Sequence, residues 1–136
     1  MAFDDGAGQK AAAQYAFDVI EYALRTFDAA PLDAFSMDGC TYCESVKKDV
    51  KRYKKSGYGT VWDPMVVKGI TAPPKAPDKE YHRATVIARV QRIEIVDSSG
   101  TVVDSEKPGM ELEYSFALHW DGVWRLGEVG ISEIVR

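Results

Sequence analysis

Ser36-Met37-Asp38-Gly39-Cys40-Thr41-Tyr42-Cys43 divides the chain into two parts of different period. Before it the apolar residues recur at helical spacing. A basic helix starts within it, and after that helix the pattern turns strand-like. The stretch holds both cysteines of the 136-residue chain, directly after a helix-start signal in which Ser36 or Asp38 serves as N-cap. Cysteines three apart in the first turn of a helix lie close enough to bridge. A thioredoxin-like dithiol needs a preceding βαβ unit to expose it, whereas helices precede this one. The helix start would still favour a thiolate. A structural Cys40–Cys43 disulfide in an oxidising compartment is therefore the expectation, with redox or metal chemistry as the alternatives.

Outward toward the N-terminus, residues 9 to 28 place Ala12, Ala16, Val19, Ile20, Ala23, Leu24 and Phe27 on one helical stripe. Asp18, Glu21 and Arg25 point away from it, so this helix is not expected to offer a carboxylate to an interior site. Pro31 is placed to start a short second helix ending at Phe35. Residues 1–9 read as a flexible lead-in without a signal-peptide pattern, and 10–136 as one domain.

Outward toward the C-terminus, the third helix spans about Cys40 to Ser56 and stops at Gly57. Cys43, Val46, Val50 and Tyr53 form its apolar stripe, and Lys48, Lys51, Arg52 and Lys55 lie opposite. A basic face of this kind contacts an anionic surface or is simply solvated, and solvation is the expectation. Beyond Gly59 the chain is β-rich. Pro64 interrupts the Thr60–Ile70 segment, and the proline-rich 71–78 stretch is a loop.

His82–Val96 reads as one long strand with a fault: Ala84, Val86, Ala88 and Val90 share a face, while Ile93 and Ile95 take the other phase. A bulge near Gln91-Arg92 would account for this. A short strand at Thr101–Val103 and a turn at residues 106–109 follow. Met110–Trp120 alternates cleanly, with Met110, Leu112, Tyr114, Phe116, Leu118 and Trp120 on one face and Glu111, Glu113, Ser115 and His119 on the other. Asp121-Gly122 signals a two-residue hairpin, and the last strand slips phase between Leu126 and Val129. Three helices followed by antiparallel strands make an α+β domain. Long strands with bulges imply that the helices pack on a strongly curved antiparallel sheet.

This order resembles the nuclear-transport-factor-two-like, or SnoaL-like, cone fold. The Tyr15–Phe27 helix, the Pro31–Phe35 helix, Cys40-Thr-Tyr-Cys43, Val96-Asp-Ser-Ser-Gly-Thr-Val-Val103 and Phe116-Ala-Leu…Trp124-Arg-Leu126 carry the likeness. Within that fold the chain resembles an uncharacterised family of secreted or lipid-anchored proteins of high-GC Gram-positive bacteria, domain of unknown function 6318. The resemblance implies an extracytoplasmic location, secreted or membrane-anchored, with a lipid anchor on a segment preceding this chain. It implies no reaction.

A net charge of −4 offers no general attraction to nucleic acid, and no apolar run reaches the length of a membrane span. His82 and His119 match no zinc-ligand spacing, so neither a metal nor a cofactor is expected. Isomerases of the cone fold use a carboxylate base inside an apolar pocket. Here the inward strand face offers Tyr114 but no acid, Glu128 being the one candidate base near the slipped phase. The expected function is therefore a non-catalytic binding or assembly domain at the cell envelope. Its ligand pocket would be formed by Tyr22, Trp62, Tyr114, Trp120 and Trp124, and its partner would be an envelope protein or a small apolar ligand. A homodimer is left open. The alternatives are a small-molecule enzyme of the isomerase type and a purely structural accessory domain.

Overall fold

The computed structural model describes residues 6–134. Helix α1 (Gly6–Thr26) buries Ala12, Ala16, Phe17, Ile20 and Ala23 along one face, as the 3.6-residue period requires. It begins inside the stretch expected to be a lead-in, and residues 1–5 of that stretch lie outside the described residues. The reason is Gln9, which is buried. Its side-chain amide donates to the carbonyls of Pro73 (3.0 Å) and Arg83 (2.9 Å), tying the helix start to the proline-rich loop and the strand after it. α1 ends at Phe27, whose left-handed backbone (φ 59°) is unusual for a bulky residue. The Phe27 ring is buried against Tyr53 at 5.6 Å, which offsets that cost. Helix α2 (Ala30–Phe35) has Pro31 in its first turn, and α3 (Thr41–Lys55) stops before Gly57, which takes φ 73°.

Seven strands follow: β1 (Gly59–Trp62), β2 (Val66–Thr71), β3 (His82–Arg89), β4 (Ile93–Val96), β5 (Val102–Glu106), β6 (Glu111–Trp120) and β7 (Trp124–Ile134). The α+β class and the N-terminal helices match the sequence reading, but the cone does not. Instead of one strongly curved sheet, the strands form two open antiparallel sheets, one of three strands in the order β1-β4-β5 and one of four in the order β2-β3-β6-β7. The physical reason lies in three interruptions. Pro64 lacks an N–H and breaks the first segment between β1 and β2. The fault at Gln91-Arg92 is a break between β3 and β4 rather than a bulge within one strand, and residues 107–110 separate β5 from β6. Each broken segment thus gives one piece to each sheet.

Backbone hydrogen bonds hold the interruptions in step. The Asp63 N–H donates to Arg92 O (2.8 Å), the Val90 N–H to Met110 O (2.8 Å) and the Gly109 N–H to Val90 O (2.8 Å). The break lets both phases of the 82–96 segment face inward, because Ala84, Val86, Ala88 and Val90 are buried on one side of it and Ile93 and Ile95 on the other. Phe116, Ile20, Leu32, Leu118, Leu126 and Val86 are fully buried in the core. Each such large side chain contributes about 1.5–3 kcal/mol of burial free energy.

The β6–β7 hairpin closes through Asp121–Val123, three residues rather than two, with Trp120 opposite Trp124. Gly122 supplies φ 101° there. The phase slip in β7 is a bulge: Ala117 pairs with Glu128 and Leu118 with Leu126, leaving Gly127 unpaired between them. A Cβ on Gly127 would stand 2.6 Å from the His119 ring. Gly127→Ala should therefore force His119 aside and cost about 1 kcal/mol in a chemical-denaturation measurement. Adding His119→Ala should remove most of that loss. Additive losses in the double variant would show that the ring contact is not the cause.

Candidate functional site

The stretch before α3 is fastened to β7. The Met37 N–H donates to Leu126 O at 2.8 Å, and Ser36 and Leu126 form an isolated parallel bridge. Two residues past Leu126, the Glu128 carboxylate accepts from the backbone N–H groups of Thr41 (3.0 Å) and Tyr42 (3.2 Å). These are free donors of the first turn of α3, so a carboxylate here satisfies them and complements the helix dipole. Cys40 is the N-cap residue, its sulfur accepting from the Cys43 N–H at 3.2 Å. Cys40 and Cys43 are buried and bonded as a disulfide. Partial burial disfavours the charge on Glu128, but the N–H groups of Val129, Thr41 and Tyr42 outweigh it and hold the carboxyl below the ordinary glutamate range.

With α3 fixed in this way, a cavity of about 370 Å³ lies between α1, α3 and both sheets. Leu24 of α1 and Val46 of α3 line it on the helix side. Ile93 and Ile95 of β4, Leu112 of β6 and Ile131 of β7 line it on the sheet side. Its aromatic lining is Tyr42, Tyr53, Trp62 and Tyr114, and its carboxylates are Asp49, Asp104 and Glu106. The volume falls within the range of small-molecule sites, and so does the mixture of an apolar lining with a few polar groups.

The phenols face inward under strong desolvation. Burial, with the Asp49 and Glu106 carboxylates adding to it, pushes Tyr42 up to about 12. Tyr114 is raised by burial first, then by Tyr42, Glu21 and Glu106. Both therefore remain protonated donors at neutral pH. The Tyr114 hydroxyl donates to the Met65 sulfur, at 3.7 Å, a weak acceptor. Phe17 meets the Tyr114 ring edge-on at 5.1 Å. Trp62 is oriented by Glu21, whose carboxylate accepts from its indole N–H (3.2 Å) and from the Met65 N–H (2.8 Å). Glu106 is raised by partial desolvation and then by Asp104.

Of the residues expected to form a pocket, the structure brings together Trp62 and Tyr114. Tyr22 lies outside, exposed, with its hydroxyl on Asp28 at 3.2 Å. Trp120 and Trp124 meet at a tilt, 5.2 Å between ring centres, near the β6–β7 turn, and Trp124 meets His82 edge-on at 4.8 Å. The expectation of a cleft without acids does not hold, because β5 brings Asp104 and Glu106 to its rim and α3 brings Asp49. Nor does α1 withhold its carboxylates, since Glu21 reaches the aromatic wall. Glu128, the candidate base, serves as the helix clamp instead. The basic face is where the sequence puts it: Lys48, Lys51, Arg52 and Lys55 are all exposed on α3, Arg52 paired with Asp49 at 3.3 Å. Tyr42, Val46, Asp49 and Tyr53 recur at helical spacing, so this wall of the cavity was readable as a stripe interrupted by one carboxylate. Among the described residues, no group of three or more His, Cys, Asp or Glu is arranged to hold a metal ion, and no helix is long and apolar enough to cross a membrane.

Comparison with known proteins gives a family and a fold. A family model described as "Family of unknown function (DUF6318)" matches residues 1–130. No curated protein matches the chain. The intermembrane space region of the chloroplast protein ARC6 aligns with a TM-score of 0.58 at 11% identity, over 97% of this chain and 99% of that one. Aln2 from a Streptomyces species aligns with a TM-score of 0.55 at 13% identity, over 90% of this chain and 88% of that one. At such identities the likeness is one of fold alone.

Replacing the clamp tests its role. Glu128→Gln keeps the shape but removes the charge, and should cost about 1 kcal/mol, with Glu128→Ala costing about 1–2 kcal/mol. Because the folded carboxyl is held low, its stabilisation is present above the unfolded pKa and is lost as pH falls through the folded value, below about pH 4. Thermal melts across this range should show a shallower acid decline for Glu128→Gln than for the wild type. Parallel declines would contradict the assignment.

Proposed function

We propose, for a chain that belongs to the DUF6318 family of unknown function, that it is a binding domain whose interior cleft receives a small ligand, working outside the cytoplasm. The observation that supports this most is the cavity of about 370 Å³ between α1, α3 and the two sheets, walled by aromatic rings and bordered by carboxylates. Phenols raised by burial are poor proton shuttles near neutral pH but good hydrogen-bond donors. Such donors suit recognition. Among the described residues no histidine lines the cavity.

The buried Cys40–Cys43 disulfide fits an oxidising compartment. In this reading the domain is secreted, or held at the cell surface by a lipid on a preceding segment, and presents the cleft to an envelope component. The second reading is a small-molecule enzyme acting from the same cleft. It is favoured by one observation, a carboxyl in Glu106 that partial desolvation and then Asp104 raise, in the same cavity as two phenols. Such a group would serve as a general base.

Ligand binding should appear as a saturable change in tryptophan fluorescence when small aromatic compounds are titrated in, and the change should vanish in Trp62→Phe. Tyr114→Phe should weaken the binding by about 1 kcal/mol through one lost hydrogen bond. Tyr114→Ala should instead destabilise the fold by about 3–5 kcal/mol. A cleft that gives no saturable signal with any compound would contradict the binding role. Product formation abolished by Glu106→Gln would establish the enzyme.

A further inference from the structure

Resting on the binding reading above, we infer that the cleft is selective for an organic cation, an ammonium group carried on an apolar body. Among the described residues the lining includes three carboxylates and no Lys, Arg or His, so the charged side chains of the wall are all negative. Asp49 is matched by Arg52 at 3.3 Å. Among the described residues no cation pairs with Asp104 or Glu106. These two stand two apart on β5 and so share a side of the strand. Two carboxylates on one side of a strand at the mouth of a cavity repel each other. A ligand cation between them relieves that repulsion, whereas an anion adds to it.

The aromatic wall selects in the same direction. Trp62, Tyr42, Tyr53 and Tyr114 all line the one cavity, and a cation over the face of such a ring is attracted by its quadrupole. The site already shows this contact at its edge, where the Arg52 guanidinium lies 5.0 Å from the centre of the Tyr53 ring. The Trp62 indole donates its N–H to the Glu21 carboxylate, which fixes the ring in the cavity wall. The branched side chains Ile93, Ile95 and Leu112 offer the apolar floor for the ligand's body. A strongly hydrated metal ion would find no such match. A quaternary alkylammonium group would, because its charge is spread over its carbon substituents and costs less to desolvate.

The test is calorimetric titration of the folded domain with three probes of similar size: benzyltrimethylammonium, neutral N,N-dimethylbenzamide and anionic benzenesulfonate. The cation should bind at least about tenfold tighter than the amide, with the sulfonate weakest, and added salt should weaken the cation alone. In Asp104→Asn/Glu106→Gln, cation affinity should fall to that of the amide. Both side chains are exposed, so the melting temperature should change little. If that pair does not fold, the single Asp104→Asn variant should show a smaller loss in the same direction. Equal affinity of cation and amide for the wild type would overturn the inference and leave the cleft a binding site. A cation preference that survives the double substitution would also overturn it. Binding of none of the three probes would remove the cleft reading together with this one.

Discussion

The carboxylate of Glu128 is the point on which the arrangement turns. It comes from β7, the edge strand of the four-stranded sheet, and accepts the first free N–H groups of α3. Without it the exposed Thr41 N–H would turn to solvent and the half-buried Tyr42 N–H would lose its partner, a loss of about 1–2 kcal/mol. With it, α3 has a fixed start, and the residues it aims inward arrive in one line. The Gly127 bulge makes this possible by advancing β7 one residue against β6, so that Leu126 fills the core, Glu128 reaches the helix and Val129 returns to the core. The disulfide of Cys40 and Cys43 closes the same turn from within.

The second constraint is topological. Breaks between β1 and β2, between β3 and β4, and between β5 and β6 allow the chain to supply two sheets. Backbone groups at the breaks find partners across them, as the Asp63–Arg92 and Val90–Met110 bonds show, so leaving one sheet for the other strands few polar groups. Where the two sheets meet the helices, side chains from all of these layers line one space instead of filling it. The cleft therefore follows from the way the fold is assembled, and its chemistry from which residues the strand ends carry. Asp104 and Glu106 sit on a strand whose residues are all exposed, where charge costs little, yet they border the cavity.

Local periodicity carried most of what was readable. The helices, the turn glycines and the alternation of β6 follow from spacing within one segment. The division into two sheets does not, because strand pairing is decided between distant segments. A phase fault such as that at Gln91-Arg92 looks the same whether the strand bulges or departs. Glu128 illustrates a related limit: its phase shows that it leaves the strand face, but not whether it meets a ligand or a helix start. Tyr22 and Trp124 were drawn toward a pocket by being aromatic, whereas hydrogen bonding to Asp28 and packing on His82 and Trp120 hold them elsewhere. The acids of the cleft were missed for a third reason, that residues on α3 and β5 converge only in three dimensions.

The most direct measurement is residue-resolved chemical-shift mapping of the isotope-labelled domain titrated with benzyltrimethylammonium. Saturable shifts should cluster at the Trp62 indole N–H, Tyr42, Asp104, Glu106 and Tyr114, with Lys48, Lys51 and Lys55 on the far face of α3 unmoved. Shifts scattered over the surface, or confined to residues outside the cleft, would contradict a cation-selective cleft.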